Sequence, residues 1–174
     1  IIPFIVPTII VIAVLAILAS GYVKSPPDQA YIISGLRKTK KILIGKAGVK
    51  VPFFERLDKL NLALIPIDVK TASEVPTADY INIRVDANVN IKVGTTPEAL
   101  EKASINFLNL PLDEIGRVSR EVLEGNMREI VGLMKLEEMV SDRQKFAELV
   151  KENAAPDLAE MGLEIISFNV QNFE

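Results

Sequence analysis

The first 23 residues, IIPFIVPTIIVIAVLAILASGYV, carry no charge and are almost entirely aliphatic. A helix through the whole stretch would measure about 34 Å, enough for a hydrocarbon core of about 30 Å. A soluble fold would have to cover every face of that helix at the very terminus of the chain, so a run this long and uncharged reads as a membrane segment. Proline inside a helix removes a hydrogen bond and collides with the preceding turn, but it is tolerated at the first helical position. With Pro3 and Pro7 in the run, the cleaner expectation is a helix from Pro7 to Val23, about 26 Å long. That length favours spanning and leaves a shallow or hairpin insertion open. The expected anchor residues are Ile9, Ile10, Val11, Ile12, Val14, Leu15, Ile17 and Leu18. No small-residue cleavage motif marks the run as a signal peptide.

The charge that follows is uneven. Residues 24–59 hold nine Lys or Arg against three Asp or Glu, within a chain whose net charge is -3. Cations just after an apolar segment place the globular part on the cytoplasmic side of the cell membrane. Lys24, Arg37, Lys38, Lys40 and Lys41 are the candidates for anionic headgroups, each contributing about 1 kcal/mol near a charged surface. The alternative is a solvated lysine-rich turn.

Two absences narrow the chemistry. With 174 residues and neither Cys nor His, the chain lacks thiolate nucleophiles, zinc–thiolate ligands and the side chain most used for proton transfer near neutral pH. Gly45 and Gly48 are not followed by the Gly-Lys-Ser/Thr of a phosphate loop. Glu121, Glu124, Glu129, Glu137 and Glu138 fall on expected helices beside Arg120, Arg128 and Lys135, where spacings of three and four, as from Glu124 to both arginines and from Lys135 to Glu138, favour intrahelical ion pairs over a carboxylate pair for catalysis. Ser104, Ser119 and Ser141 have no flanking residues that would activate a nucleophile. The basic stretch has no interleaved aromatics of the kind that bind nucleic acid. No catalytic, metal or cofactor residue is assigned, and no nucleic acid partner.

Beyond a rigid Ser25-Pro26-Pro27-Asp28 linker, short strands are expected at 29–34, 40–44 and 60–70, the last interrupted by Pro66. The clearest lies at 80–93, where Ile81, Ile83, Val85, Ala87, Val89, Ile91 and Val93 alternate with polar residues. Its polar face, Asn82, Arg84, Asp86 and Asn88, is either a solvated surface or a contact with another subunit. Thr96-Pro97-Glu98 opens a helix to about Leu108, and an apolar stripe from Leu112 to Met134 marks a longer one that should lie across the sheet. A third helix is expected from Ser141, with Gln144 in capping-box position, a kink or restart at Pro156 and a stop at Gly162. A final strand at 163–173 rejoins the sheet. The order implies an α+β fold of mixed sheet plus helices after a membrane helix. The expected parts are an anchor at 1–23, a strand-rich lobe at 24–95 and a helix-rich lobe at 96–174. The opening Ile1 and the strand-like run into Glu174 suggest part of a longer chain.

The segments at 26–35 (PPDQAYIISG), 42–60 (ILIGKAGVKVPFFERLDKL), 75–93 (VPTADYINIRVDANVNIKV) and above all 120–173 resemble the flotillins. Flotillins belong to the wider stomatin, prohibitin and flotillin group, the SPFH or band 7 family. The resemblance implies an α+β head against a membrane, a following coiled coil, and a scaffold that assembles into large homo-oligomers, as a ring or cage, and organises membrane microdomains. Membrane lipids and membrane-protein clients are its implied partners. An apolar anchor without any cysteine for acylation resembles the bacterial branch. Two rival readings remain at this point, a regulatory partner of a membrane protease and a membrane enzyme with an unrecognised site.

Overall fold

The computed structural model describes residues 2–36 and 38–174, without the side chain of Ile2. It separates into two compact units, Ile1–Asn61 and Leu62–Glu174.

The first unit opens with α1, Ile2–Ser20. The helix starts earlier than expected and carries Pro7 in its interior. Pro7 lacks only the one N–H that would reach the Pro3 carbonyl, a local loss in a helix of 19 residues. At the other end the helix stops before Gly21, whose N–H bonds the Leu18 carbonyl at 3.1 Å. Tyr22 and Val23, expected in the helix, instead begin β1, Tyr22–Lys24.

Then come β2 (Gln29–Ser34), β3 (Lys41–Ile44), β4 (Ala47–Val49) and β5 (Arg56–Asn61). β1 pairs with β4, and β2 lies between β3 and β5, all antiparallel. The Ser25–Asp28 stretch is a closed turn rather than a spacer: the Ser25 hydroxyl donates to the Gln29 carbonyl at 2.6 Å, and the Ser25 N–H reaches the Lys46 carbonyl at 3.0 Å.

In the second unit, β6 (Ile65–Lys70), β7 (Val75–Pro76), β8 (Asn82–Ile83) and β9 (Val85–Val93) precede four helices. The helices are α2 (Pro97–Phe107), α3 (Leu112–Leu133), α4 (Leu136–Ser141) and α5 (Arg143–Glu160), and β10 (Leu163–Phe173) closes the chain. The main sheet is antiparallel in the order β10-β9-β6. The single strand expected at 60–70 is therefore two, β5 and β6, lying in different units. Pro66 sits within β6, an edge strand, where a missing donor costs no interior ladder bond. The unit boundary falls at Asn61–Leu62, whereas the join expected near Gly94–Pro97 lies inside the second unit, because β9 pairs with both β6 and β10.

One face of the sheet is apolar. Ile65, Ile67 and Val69 of β6 are buried with Val85, Ala87, Val89, Ile91 and Val93 of β9. On β6 packs α3, with Ile115, Leu123, Met127, Ile130 and Val131 buried, and on β10 and α3 packs α5, with Phe146, Val150, Ala154 and Leu158 buried. Thr96 caps α2 by accepting from the Ala99 N–H at 3.3 Å, as its position predicts. The cap of α5 is Asp142, which accepts from the Lys145 N–H at 3.0 Å; Ser141 ends α4 and donates to the Glu138 carbonyl. Pro156 is accommodated without a restart. Gly162, at φ 74°, turns the chain into β10, in a left-handed conformation that a Cβ would strain.

Candidate membrane-facing surface

The expected anchor residues all lie on α1, and every one is exposed, from 49% at Val14 to 61% at Ile12. At 1.5 Å per residue the helix is about 28 Å long, close to the thickness of a hydrocarbon core. A soluble core helix would have these side chains covered. Its two hydroxyl residues are turned inward on the helix itself: Thr8 Oγ1 donates to the Phe4 carbonyl at 2.7 Å and Ser20 Oγ to the Ile17 carbonyl at 2.6 Å. Hydrogen bonds closed within the segment are what a lipid environment demands.

The foot of α1 is fixed to the small sheet beside it. The Lys50 N–H donates to the Gly21 carbonyl at 2.9 Å, and β1 pairs with β4 from Tyr22↔Val49 to Lys24↔Ala47. A Cβ at Gly21 would lie 2.1 Å from the Lys50 carbonyl oxygen, so only glycine permits this approach. Of the expected headgroup cations, Lys24, Lys38 and Lys40 are exposed and Lys41 is half-buried at the start of β3. Arg37 lies outside the described residues. Two phenylalanines drew no attention in the sequence, yet Phe53 and Phe54 are among the most exposed apolar side chains of this unit. The available signal was an adjacent aromatic pair directly after Pro52, outside any alternating strand.

The polar strand face belongs to the second unit. Asp86 and Asn88 lie on β9 and line the uncovered side of the main sheet, in register with Lys70 and Asp68 of β6. Asn169 of β10 completes the Asn88 row. Asp86 pairs with Lys70 at 3.0 Å, and the carboxylate raises the lysine's pKa chiefly through that hydrogen bond. Asn90 donates to Ser167 at 2.8 Å. Arg84 precedes β9 and exchanges backbone hydrogen bonds with Glu174 at 2.6 and 2.8 Å. Asn82 stands apart on β8, opposite Pro76. Ile81, expected on the buried face, is exposed because Tyr80, at φ 63°, turns the chain just before it.

Held apart from a bilayer, this arrangement leaves a bare apolar helix, basic side chains near its foot and an uncovered polar sheet face. Residues 23–174 match the model of the SPFH domain / Band 7 family, and the chain belongs to that family. Within it, the chain is 31% identical to the flotillin-like protein FloT of Bacillus subtilis (strain 168), over 94% of this chain and 34% of that protein. It is 37% identical to flotillin-2a of Danio rerio and 30% identical to human flotillin-1, each over 84% of this chain and about a third of the relative. The wider coverage of the bacterial relative supports the expected bacterial-type flotillin affinity. The chain spans about a third of the length of these curated relatives.

Proposed function

We propose that this chain is the anchor and head of a non-enzymatic membrane scaffold, which builds large homo-oligomers and organises membrane microdomains. The observation that carries the reading is the uncovered apolar α1, joined by backbone hydrogen bonds to a family member's head. In this reading Ile9 to Leu18 hold the chain in the cell membrane. Lys24, Arg37, Lys38, Lys40 and Lys41 meet the headgroups of the cytoplasmic leaflet, and the globular part faces the cytoplasm. Asn82, Arg84, Asp86 and Asn88 belong to the surface offered to a neighbouring subunit, so heads packed side by side form a ring or cage that confines lipids and membrane-protein clients. The similarity to flotillins supports the scaffold.

The test is the mass of the full-length protein after gentle detergent extraction, by mass photometry with imaging of the same sample. A closed assembly of many identical subunits is expected. A monomer, or a complex dominated by another protein, would overturn the scaffold.

A further inference from the structure

We propose that the 51–55 turn is a second membrane-insertion element, with Phe53 and Phe54 entering the leaflet in which the foot of α1 lies. The inference rests on the reading of α1 as a membrane anchor and adds a site that α1 does not supply.

Phe53 is 96% exposed and Phe54 67%. Transfer of such a side chain out of water is favourable by about 10- to 100-fold in its partition, so two adjacent ones at a turn tip are a strong apolar feature. The turn is also built. Phe53 sits at φ 69°, a conformation that is an outlier for a bulky side chain and persists only when its surroundings enforce it. The enforcement comes from Glu55, which is buried: its N–H donates to the Val51 carbonyl at 3.0 Å, and its Oε2 accepts the Val51 N–H at 2.8 Å. These bonds close the turn on itself and push the two aromatic side chains outward.

Position identifies the occupant as lipid. Lys50, immediately before the turn, is the residue whose N–H is bonded to Gly21 at the end of α1. The turn therefore starts where the apolar helix ends, at the level of the bilayer interface. On its other side, a Cβ at Gly35 would lie 2.4 Å from the Phe54 carbonyl oxygen, so the β2–β3 connection runs directly alongside. That connection adds exposed Leu36, then Lys38 and Lys40. Apolar tips with lysines beside them match an interface in which the rings enter the acyl region and the ammonium groups stay with the phosphates. Glu55 at the base of the turn limits the depth, because a carboxylate does not follow the rings into hydrocarbon.

These 174 residues contain no tryptophan, so in a full-length background whose tryptophans outside them, where present, are replaced by phenylalanine, single substitutions give unambiguous reporters. Phe53→Trp, Phe54→Trp and, on α1, Leu15→Trp are placed separately in the full-length protein and reconstituted into phosphatidylcholine/phosphatidylglycerol vesicles. Quenching is measured with lipids brominated along the acyl chain and with aqueous iodide. The expected result is blue-shifted emission at all three positions, quenched by bromolipid, with shallow bromines most effective at 53 and 54 and deep ones at 15. If 15 is quenched by bromolipid while 53 and 54 respond only to iodide, the second insertion element is wrong and the anchor stands. Blue-shifted emission at 53 and 54 that neither quencher reaches would mean that protein covers the turn, and also overturns the proposal. If bromolipid fails at 15 as well, the anchor reading itself falls.

Discussion

Charge placed in the middle of α1 tests the anchor directly. The helix spans Ile2–Ser20, so Val11 is its centre, with Ile12 one residue on and about a quarter-turn away. Twelve of its residues are Ile, Leu, Val or Phe. At about -0.3 to -0.6 kcal/mol each they favour insertion by at most about 4–7 kcal/mol, a ceiling because the scale applies at the bilayer centre. Arginine there costs about 2.5–3.5 kcal/mol, and the lost aliphatic contribution brings each substitution to about 3–4 kcal/mol. Val11→Arg alone therefore leaves insertion marginal, while Val11→Arg with Ile12→Arg, at about 6–8 kcal/mol, offsets all of it. The two positions point in different directions, so one polar face cannot rescue both. The assay is flotation of membranes after alkaline carbonate extraction, which strips peripheral attachment and separates aggregates from vesicles. The double variant should leave the floating fraction, and Val140→Arg, at an exposed position on α4, should remain in it. Wild-type flotation of the double variant would refute a bilayer-inserted α1.

Three further outcomes concern the second unit. Gly162→Ala adds a Cβ 2.1 Å from the Ala99 carbonyl oxygen at φ 74°; left-handed strain and the forced shift of α2 together cost about 2–5 kcal/mol, and an unchanged denaturation midpoint would refute that packing. Asp142→Ala should lose about 1 kcal/mol with the cap of α5, while Ser141→Ala, outside the cap, should change little; denaturant titration of both variants separates them. Glu124 is held below the usual carboxylate range by the Ala72 N–H at 2.9 Å first and by Arg128 second. A lowered folded value means that its contribution is complete above the ordinary glutamate range and is lost as pH falls through that lowered value. The stability gap between wild type and Glu124→Gln should accordingly close in acid, and a gap independent of pH would refute the assignment.

Where one physical rule acted alone, the sequence was a good guide. Alternation placed β9 and its buried face, and Thr96 with Pro97 placed the start of α2 to the residue. Rules in competition were harder to resolve. Pro7 marks a helix start in most settings, but a single missing donor did not outweigh 19 residues of helix, so α1 begins at Ile2. Ser141 and Asp142 are both good caps, and only the break between α4 and α5 decides for Asp142. The bulge between Ile165 and Ser167 reverses the inward phase of β10, which leaves Ile166 exposed and Phe168 buried; simple alternation cannot signal it. Of the proposed membrane surface, the apolar helix and the lysines after it are legible in composition, whereas the exposure of Phe53 and Phe54 depends on a turn closed by Glu55, four residues from its partner Val51.

The two units differ in what can hold them together. Among the described residues, the first unit buries only Ala30, Ile32, Ile33, Leu43 and Leu60 as apolar core, while the second buries 28 such side chains. Small units bury too little surface to be secure by themselves. The first unit answers this with backbone closures, Lys50 to Gly21 and Ser25 to Lys46, and with a long apolar helix that water cannot accommodate. Its apolar surface is spent outward, on α1 and on the 51–55 turn, where a soluble protein of the same length would turn it inward. In the proposed reading the bilayer takes the place of the missing core, so that anchoring and folding of this unit draw on the same side chains. The second unit packs α3 and α5 over one side of its sheet and keeps the polar face uncovered, the face proposed above for contacts between subunits.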